Sequence, residues 1–369
     1  MPPRLAQPRG AARRRGHGPD ASRQGHHLPE RPPPRARKFR DPPRDPRRSC
    51  PRAHRDRLRH LRSRLAARDR SGGGEVIAGK GLAAAALLLA GASTAPQAPV
   101  RWTPDAISTP GYEASPTFSP DGSELIYLSA DANFRGWHLL MTRCIDGAWS
   151  KPAPPSFAGP AGTFDADAGY APDGKGVYFV STRHDPKGED FDIYHAARSP
   201  DGSFAAPVRL PAPVNSPQSE LLPRVDAAGT LYFGSSRPGG HGQSDIYVAQ
   251  QKDGAWQVRN LGAPVSTAAN EYEAEVSRDG NTLILVADRG DRSHLYHFRK
   301  QGGTWRELGR IPARADVFQV GPLLSPDAER LLFAQASQDR SGELYLTDLK
   351  PGSREPWPPR CGAPAGSKP

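Results

Sequence analysis

Cysteine is scarce in this chain, with three residues in 369, at Cys50, Cys144 and Cys361. So sparse a set excludes a disulfide framework as the source of the fold. Long apolar runs are missing too. The stretch inside Lys80–Ala95 holds about ten apolar residues, too short to span a bilayer as a helix. The pattern G-x-S-x-G does not occur, and about 20 residues follow the last repeated unit, so a separate Ser-His-Asp domain is not expected. His138, His184, His195, His241, His294 and His297 lack a metal-ligand spacing such as H-x-x-x-H and read mostly as surface loop residues.

What the chain does have is a repeat. A turn recurs as Ser119-Pro120-Asp121-Gly122, Ala171-Pro172-Asp173-Gly174, Asp226-Ala227-Ala228-Gly229, Ser277-Arg278-Asp279-Gly280 and Ser325-Pro326-Asp327-Ala328, its fourth positions 52, 55, 51 and 48 residues apart. An apolar run follows each turn, such as Val177-Tyr178-Phe179-Val180 or Leu283-Ile284-Leu285-Val286. Later in each unit comes a second landmark: Leu139-Leu140, Ile193-Tyr194, Ile246-Tyr247, Leu295-Tyr296 and Leu344-Tyr345. Four units add an aromatic residue, Trp149, Phe204, Trp256 and Trp305. A period near 50 residues built of short β-type runs and tight turns is the mark of a propeller.

Each unit reads as a four-stranded antiparallel blade. Proline fixes φ at the second turn position, Asp bonds its own backbone, and Gly tolerates φ > 0, so S-P-D-G joins two strands tightly. Asp146-Gly147, Asp201-Gly202 and Asp253-Gly254 read as a second hairpin turn. The expected fold is therefore all-β, with five blades counted and six open. The fifth unit lacks its aromatic strand, and Val100-Arg101-Trp102 supplies one at the other end of the chain. Trp102 precedes Asp121 by 19 residues, against 22 to 24 elsewhere. The N-terminal strand around Trp102 should thus complete the last blade and close the ring.

The S-P-D-G turns, the apolar strand after them and the D-I-Y landmark at Asp192-Ile193-Tyr194 and Asp245-Ile246-Tyr247 resemble the TolB-like propeller repeat of exported bacterial proteins, a PD-type, WD-like repeat. The resemblance covers about 250 residues, from 100 to 350. It implies the fold and an envelope setting, and says little of function, because propellers host binding and catalysis alike. Well-known members have six blades against the five counted here, and the N-terminal domain of the Tol translocation protein has no counterpart.

Charge divides the chain. Residues 1–75 hold 22 Lys+Arg and 7 Asp+Glu, while residues 76–369 hold 28 and 32. The Arg/Pro-rich 1–75 segment cannot bury enough surface to fold and is expected to be disordered. A nucleic-acid-binding tail, a disordered arm and non-coding sequence read in frame from a mis-called start all fit it. The last is preferred because an export signal follows. Residues 76–98, with Lys80, the apolar stretch and the small residues Ala90 and Ala92, read as a secretory signal peptide. The propeller is expected over 99–350 and a disordered tail over 351–369. The two cysteines of the mature chain are expected as free thiols, with a Cys144–Cys361 pair left open because closure brings the tail near the first blade.

Eight residues before the third turn position stands an acidic column, Glu113, Asp165, Glu220 and Glu271, with Gln319 as the exception. A ring of carboxylates at the channel would attract a cation or a basic peptide; capping of inter-blade turns by these carboxylates, which accept from backbone N–H groups, is the structural reading, and it is preferred. A second column, Arg183, Arg237 and Arg289, reads as structural ion pairs, with anion recognition as the functional counterpart. No catalytic residue, metal or cofactor is called for. The expected function is a periplasmic or secreted monomeric scaffold that binds a protein, peptide or glycan of the envelope, not nucleic acid and without a membrane anchor in the mature form. A metal-assisted hydrolase or lyase in the channel is the alternative. The processed chain should begin between about Ser93 and Pro99. Intact-mass analysis of exported protein checks this, and a mass that includes residues 1–75 would sink it.

Overall fold

A computed structural model describes residues 98–337, 342–353 and 356–362. The leader and most of the expected signal peptide lie outside them. Among the described residues, twenty strands form five separate four-stranded antiparallel sheets. After β1 (Val100–Arg101), the first blade is β2 (Tyr112–Phe118), β3 (Glu124–Ala130), β4 (His138–Ile145) and β5 (Ala148–Trp149). The second is β6 (Asp165–Tyr170), β7 (Gly176–Ser181), β8 (Asp192–Ala197) and β9 (Val208–Arg209). The third is β10 (Glu220–Val225), β11 (Leu231–Ser235), β12 (Asp245–Lys252) and β13 (Ala255–Asn260). The fourth is β14 (Asn270–Val276), β15 (Thr282–Asp288), β16 (Ser293–Gln301) and β17 (Thr304–Arg310). The fifth takes β18 (Gln319–Leu324), β19 (Arg330–Gln335) and β20 (Glu343–Asp348), with β1 as its outer strand. The architecture is a five-bladed β-propeller.

The turns form as their chemistry requires. Gly122 N–H donates to the Ser119 carbonyl at 2.8 Å, while Glu124 N–H donates to Ser119 Oγ at 2.9 Å and Ser123 N–H to Asp121 Oδ1 at 3.1 Å. Gly122 sits at φ 72° and Gly280 at 68°, whereas the fifth turn holds Ala328 at 57°, a strained position for a side chain. The second hairpins at Asp146-Gly147 and Asp253-Gly254 have positive φ at both residues, as type I′ turns need. Between blades, apolar faces meet in continuous clusters. Ile126, Leu139, Val177 and Phe179 pack the first blade on the second, and Tyr232, Ile246, Leu283 and Leu285 pack the third on the fourth.

Closure follows the expected route. Val100 pairs with Leu346 and Arg101 with Tyr345, and Trp102 N–H donates to the Leu344 carbonyl at 2.8 Å. Leu344 N–H in turn donates to Thr103 Oγ1 at 2.7 Å. At the axis the closing contact is tight. Gly321 of β18 lies so close to β2 that an added Cβ would stand 2.5 Å from Ser115 N, so only glycine fits.

Two expectations are corrected. Cys144 and Cys361 are not free thiols: they form a disulfide with Cα atoms 5.3 Å apart, spanning 217 residues. Nor is the whole of 351–369 a loose tail. Trp357 is buried, stands edge-on to Phe118 at 6.4 Å, and its carbonyl accepts from Arg330, so the tail packs across the turn end of the ring. An aromatic ring and a thiol near the chain end gain more from burial and linkage than the short segment loses in entropy. Deleting residues 98–104 should therefore lower the unfolding free energy by more than about 3 kcal/mol, and Cys144→Ser with Cys361→Ser by about 2–4 kcal/mol. Urea unfolding followed by tryptophan fluorescence measures both; a parental midpoint for the 98–104 deletion would refute the closing strand.

Candidate functional site

The acidic column occupies one register position, at the start of each innermost strand: Glu113 pairs with Ser129, Asp165 with Ser181, Glu220 with Ser235, Glu271 with Ala287 and Gln319 with Gln335. All five side chains are buried. Each holds the linker that leads into its blade. Thr109 Oγ1 donates to Glu113, Thr267 Oγ1 and N–H donate to Glu271, and Gly159 N–H donates to Asp165 at 2.6 Å. Ser216 donates to Glu220 through both its hydroxyl, at 2.6 Å, and its N–H, at 3.2 Å. Gln319 does the same work as a neutral donor, to the carbonyls of Arg314 and Val317. The column thus ties linkers to blades.

The arginine column joins it in two blades. Arg183 Nη2 reaches Asp165 at 3.0 Å while its guanidinium lies over Phe179 and Tyr194. Arg237 Nη2 reaches Glu220 at 2.9 Å and lies over Phe233 and Tyr247. Arg289 keeps the stacking, over Tyr296, but pairs with Glu307 at 2.9 Å instead of the column. Three of the histidines diverge from the surface-loop expectation. His294 is fully buried against Gln319, and His195 and His297, on strands, are held below the usual imidazole range chiefly by burial.

Past the column every innermost strand breaks register: between Ala114 and Thr117, Ala166 and Gly169, Leu221 and Arg224, Glu271 and Glu273, and Val320 and Leu323. Ser115, Asp167, Leu222 and Gly321 adopt positive φ there. These bulges re-aim polar groups from blade to blade. Ser115 Oγ and Leu222 N–H both donate to Asp167, and Gly321 N–H donates to Glu273 at 2.9 Å. Below this layer, four residues after the column, stand Thr117, Gly169, Arg224, Glu275 and Leu323, one from each blade. Arg224 Nε donates to Glu275 at 2.7 Å and Nη1 to the Asp167 carbonyl at 3.1 Å, while Leu324 N–H donates to the other Glu275 oxygen. Desolvation pushes the Glu275 carboxyl up against the pull of Arg224. These five residues line a cavity of about 610 Å³ at the turn end of the ring, roofed by Trp357, Pro358 and Pro359.

That layer escaped sequence reasoning. Its signal was present: four positions after the column the repeat abandons its own pattern, with Thr, Gly, Arg, Glu and Leu in turn. On the opposite face, in the loop between β7 and β8, His184 Nε2 stands 2.8 Å from Asp192 Oδ2 and 3.3 Å from Asp190 Oδ2. The trio can hold a metal ion. Asp192 also accepts from Arg209, and burial raises its pKa against the pull of that guanidinium.

No family model and no curated protein matches the chain. Among solved structures it is similar to TolB from Acinetobacter baumannii, 18% identical with a TM-score of 0.42 over 66% of this chain and 56% of that one. It is similar to the putative TolB from Agrobacterium tumefaciens, 18% identical with a TM-score of 0.45 over 66% and 79%. Prolyl oligopeptidase B from Galerina marginata is also similar, 14% identical with a TM-score of 0.40, over 69% of this chain and 33% of the peptidase. The chain spans little more than half of the Acinetobacter TolB. These are likenesses of fold.

Burial pushes Glu220 up from 4.5 to about 7, outweighing Ser216, Arg237 and Ser235, which pull it down. Between those values the folded chain keeps a proton that the unfolded chain releases. Stability from this group is therefore greatest below pH 4.5 and falls as pH rises through about 7. Glu220→Gln should flatten that fall. Urea midpoints of parent and variant across this range test it, and identical slopes would contradict the assignment.

Proposed function

We propose that this propeller is an exported scaffold of the cell envelope, acting as a monomer, that binds a protein, peptide or glycan through the turn-side mouth of its channel. The observation that carries the reading is the cavity of about 610 Å³ lined by one residue from each innermost strand, with the buried Arg224–Glu275 pair in its wall. A buried ion pair is a poor way to stabilise a fold, since apolar residues of the same volume serve as well or better. Its place in a ligand-sized cavity fits a recognition role. The disulfide supports export, because such bonds persist in oxidising compartments. The excess of acid over base in residues 76–369 speaks against nucleic acid as partner.

A second reading, a metal-assisted hydrolase or lyase, draws on one observation: the His184, Asp190 and Asp192 group. It lies on the face opposite the cavity, because strands run alternately and the turn from the second to the third strand faces away from S-P-D-G. The binding reading is favoured for that reason. Affinity capture from periplasmic extract should recover a partner with the parent chain and lose it with Arg224→Met combined with Glu275→Met, which removes both charges together. Capture that is undiminished in the folded double variant would sink the channel as the binding site. A broad activity screen with and without EDTA, alongside metal analysis of purified protein, decides the second reading.

A further inference from the structure

The cavity wall is unbalanced in charge. Arg224, Arg278, Arg330 and Arg360 contribute to it, against Asp121 and Glu275. Arg278 and Arg360 are exposed at its rim. Arg330 is committed to Asp348 at 2.8 Å and to the Trp357 carbonyl. Deeper in, the guanidinium of Arg224 spends Nε on Glu275 and Nη1 on the carbonyls of Asp167 and Pro223. Its Nη2 is buried and has no hydrogen-bond partner in the protein. A guanidinium carries five N–H donors in a fixed fork, and a buried unsatisfied one is costly. Glu275 does not serve it: the carboxylate takes Arg224 Nε on one oxygen and Leu324 N–H on the other, and neither oxygen bonds Nη2.

We propose that this cavity is an oxyanion site: a small carboxylate- or phosphate-bearing molecule enters at the turn face, the buried Arg224 guanidinium turns toward it, and one of its oxygens accepts a hydrogen bond from Nη2. This rests on the reading that the cavity is a ligand site and names the ligand's chemistry. Arg278 and Arg360 attract the anion to the rim, and Arg224, its charge partly balanced by Glu275, sets the position of one oxygen. Thr117 Oγ1 accepts from Tyr170 N–H at 3.1 Å, and among the described residues its O–H donates to no acceptor, which leaves it able to donate to the same anion. The volume suits a small organic acid or phosphate ester, free or carried as the acidic group of a bound peptide or glycan.

Isothermal titration of the purified exported protein with citrate and with inorganic phosphate, and with choline as a cationic control, tests the proposal. The parent should bind at least one of the two anions, more weakly as salt is raised, and should not bind choline. Citrate alone would identify a carboxylate ligand, phosphate alone a phosphoryl one. Arg224→Met combined with Glu275→Met should weaken binding at least thirtyfold, and Arg278→Gln combined with Arg360→Gln about threefold to tenfold. Absence of binding to both anions, or unchanged affinity in either double variant that folds, overturns the proposal; if circular dichroism shows the first variant unfolded, the rim variant decides alone. Anion binding without any captured envelope partner would leave this site standing and sink the scaffold reading. Capture without anion binding would do the reverse.

Discussion

Everything in this molecule hangs on the closure of the ring. A blade has two apolar faces and cannot bury either alone, so five blades in a row would leave two faces and two sheet edges in water. The chain solves this by lending its first strand to its last sheet: β1 lies on β20, and Thr103 and Trp102 lock the Leu344 backbone from both sides. The same contact recurs at the axis, where Gly321 meets Ser115 backbone to backbone. It recurs on the outside, where the disulfide joins the end of β4 to a residue 217 positions later. Outer edge, axis and tail each tie the end of the chain to its beginning. A propeller fastened at three radii opens only by losing all three.

Five blades also make a narrow centre, and the narrowness explains the chemistry there. Innermost strands of neighbouring blades come close enough for their backbones to bond directly to one another's side chains, as Leu222 N–H does to Asp167 and Gly321 N–H to Glu273. A regular strand would point alternate side chains between the blades and would leave these donors unmet. The bulge in each innermost strand resolves the conflict at the expense of strained backbone at Ser115, Asp167 and Leu222. The column carboxylates settle a related problem at the other end of the strand. A linker crossing from one blade to the next exposes N–H groups that no sheet can satisfy, and a buried carboxylate four or six residues on accepts them.

How far the sequence speaks depends on whether a feature repeats. The turns, the apolar strands, the Asp-Gly hairpins and the closing Trp102 strand were legible because five copies of one solution display its rules. The acidic column was legible as a position, and the linker capping preferred for it is what the hydrogen bonds display. The disulfide was legible only as an open alternative to free thiols, because two cysteines in a long chain carry no spacing rule and only the ring brings Cys144 to Cys361. The packed tail was hidden for the same reason: Pro356-Trp357-Pro358 has no periodicity of its own. His294 was misread as a surface residue because its partner, Gln319, belongs to the next blade. The bulges are invisible to a period-2 pattern, since an inserted residue looks like a lapse in alternation.

The layer holding Arg224 and Glu275 shows the complementary rule. A repeat protein uses the same residue in every copy where the task is the same in every copy, as in turns, caps and blade contacts. A ligand at the axis of a propeller sees five blades at once and is never itself five-fold in its chemistry. Its contacts must therefore fall at a position where the copies disagree. Thr117, Gly169, Arg224, Glu275 and Leu323 occupy one such position, with a hydroxyl, a gap, a cation, an anion and an apolar side chain around a single circle. Asymmetry at the symmetric centre is what recognition requires, and structural repetition does not call for it. The column eight residues before the turn is the opposite case, near-uniform and buried, and its uniformity marks it as part of the frame.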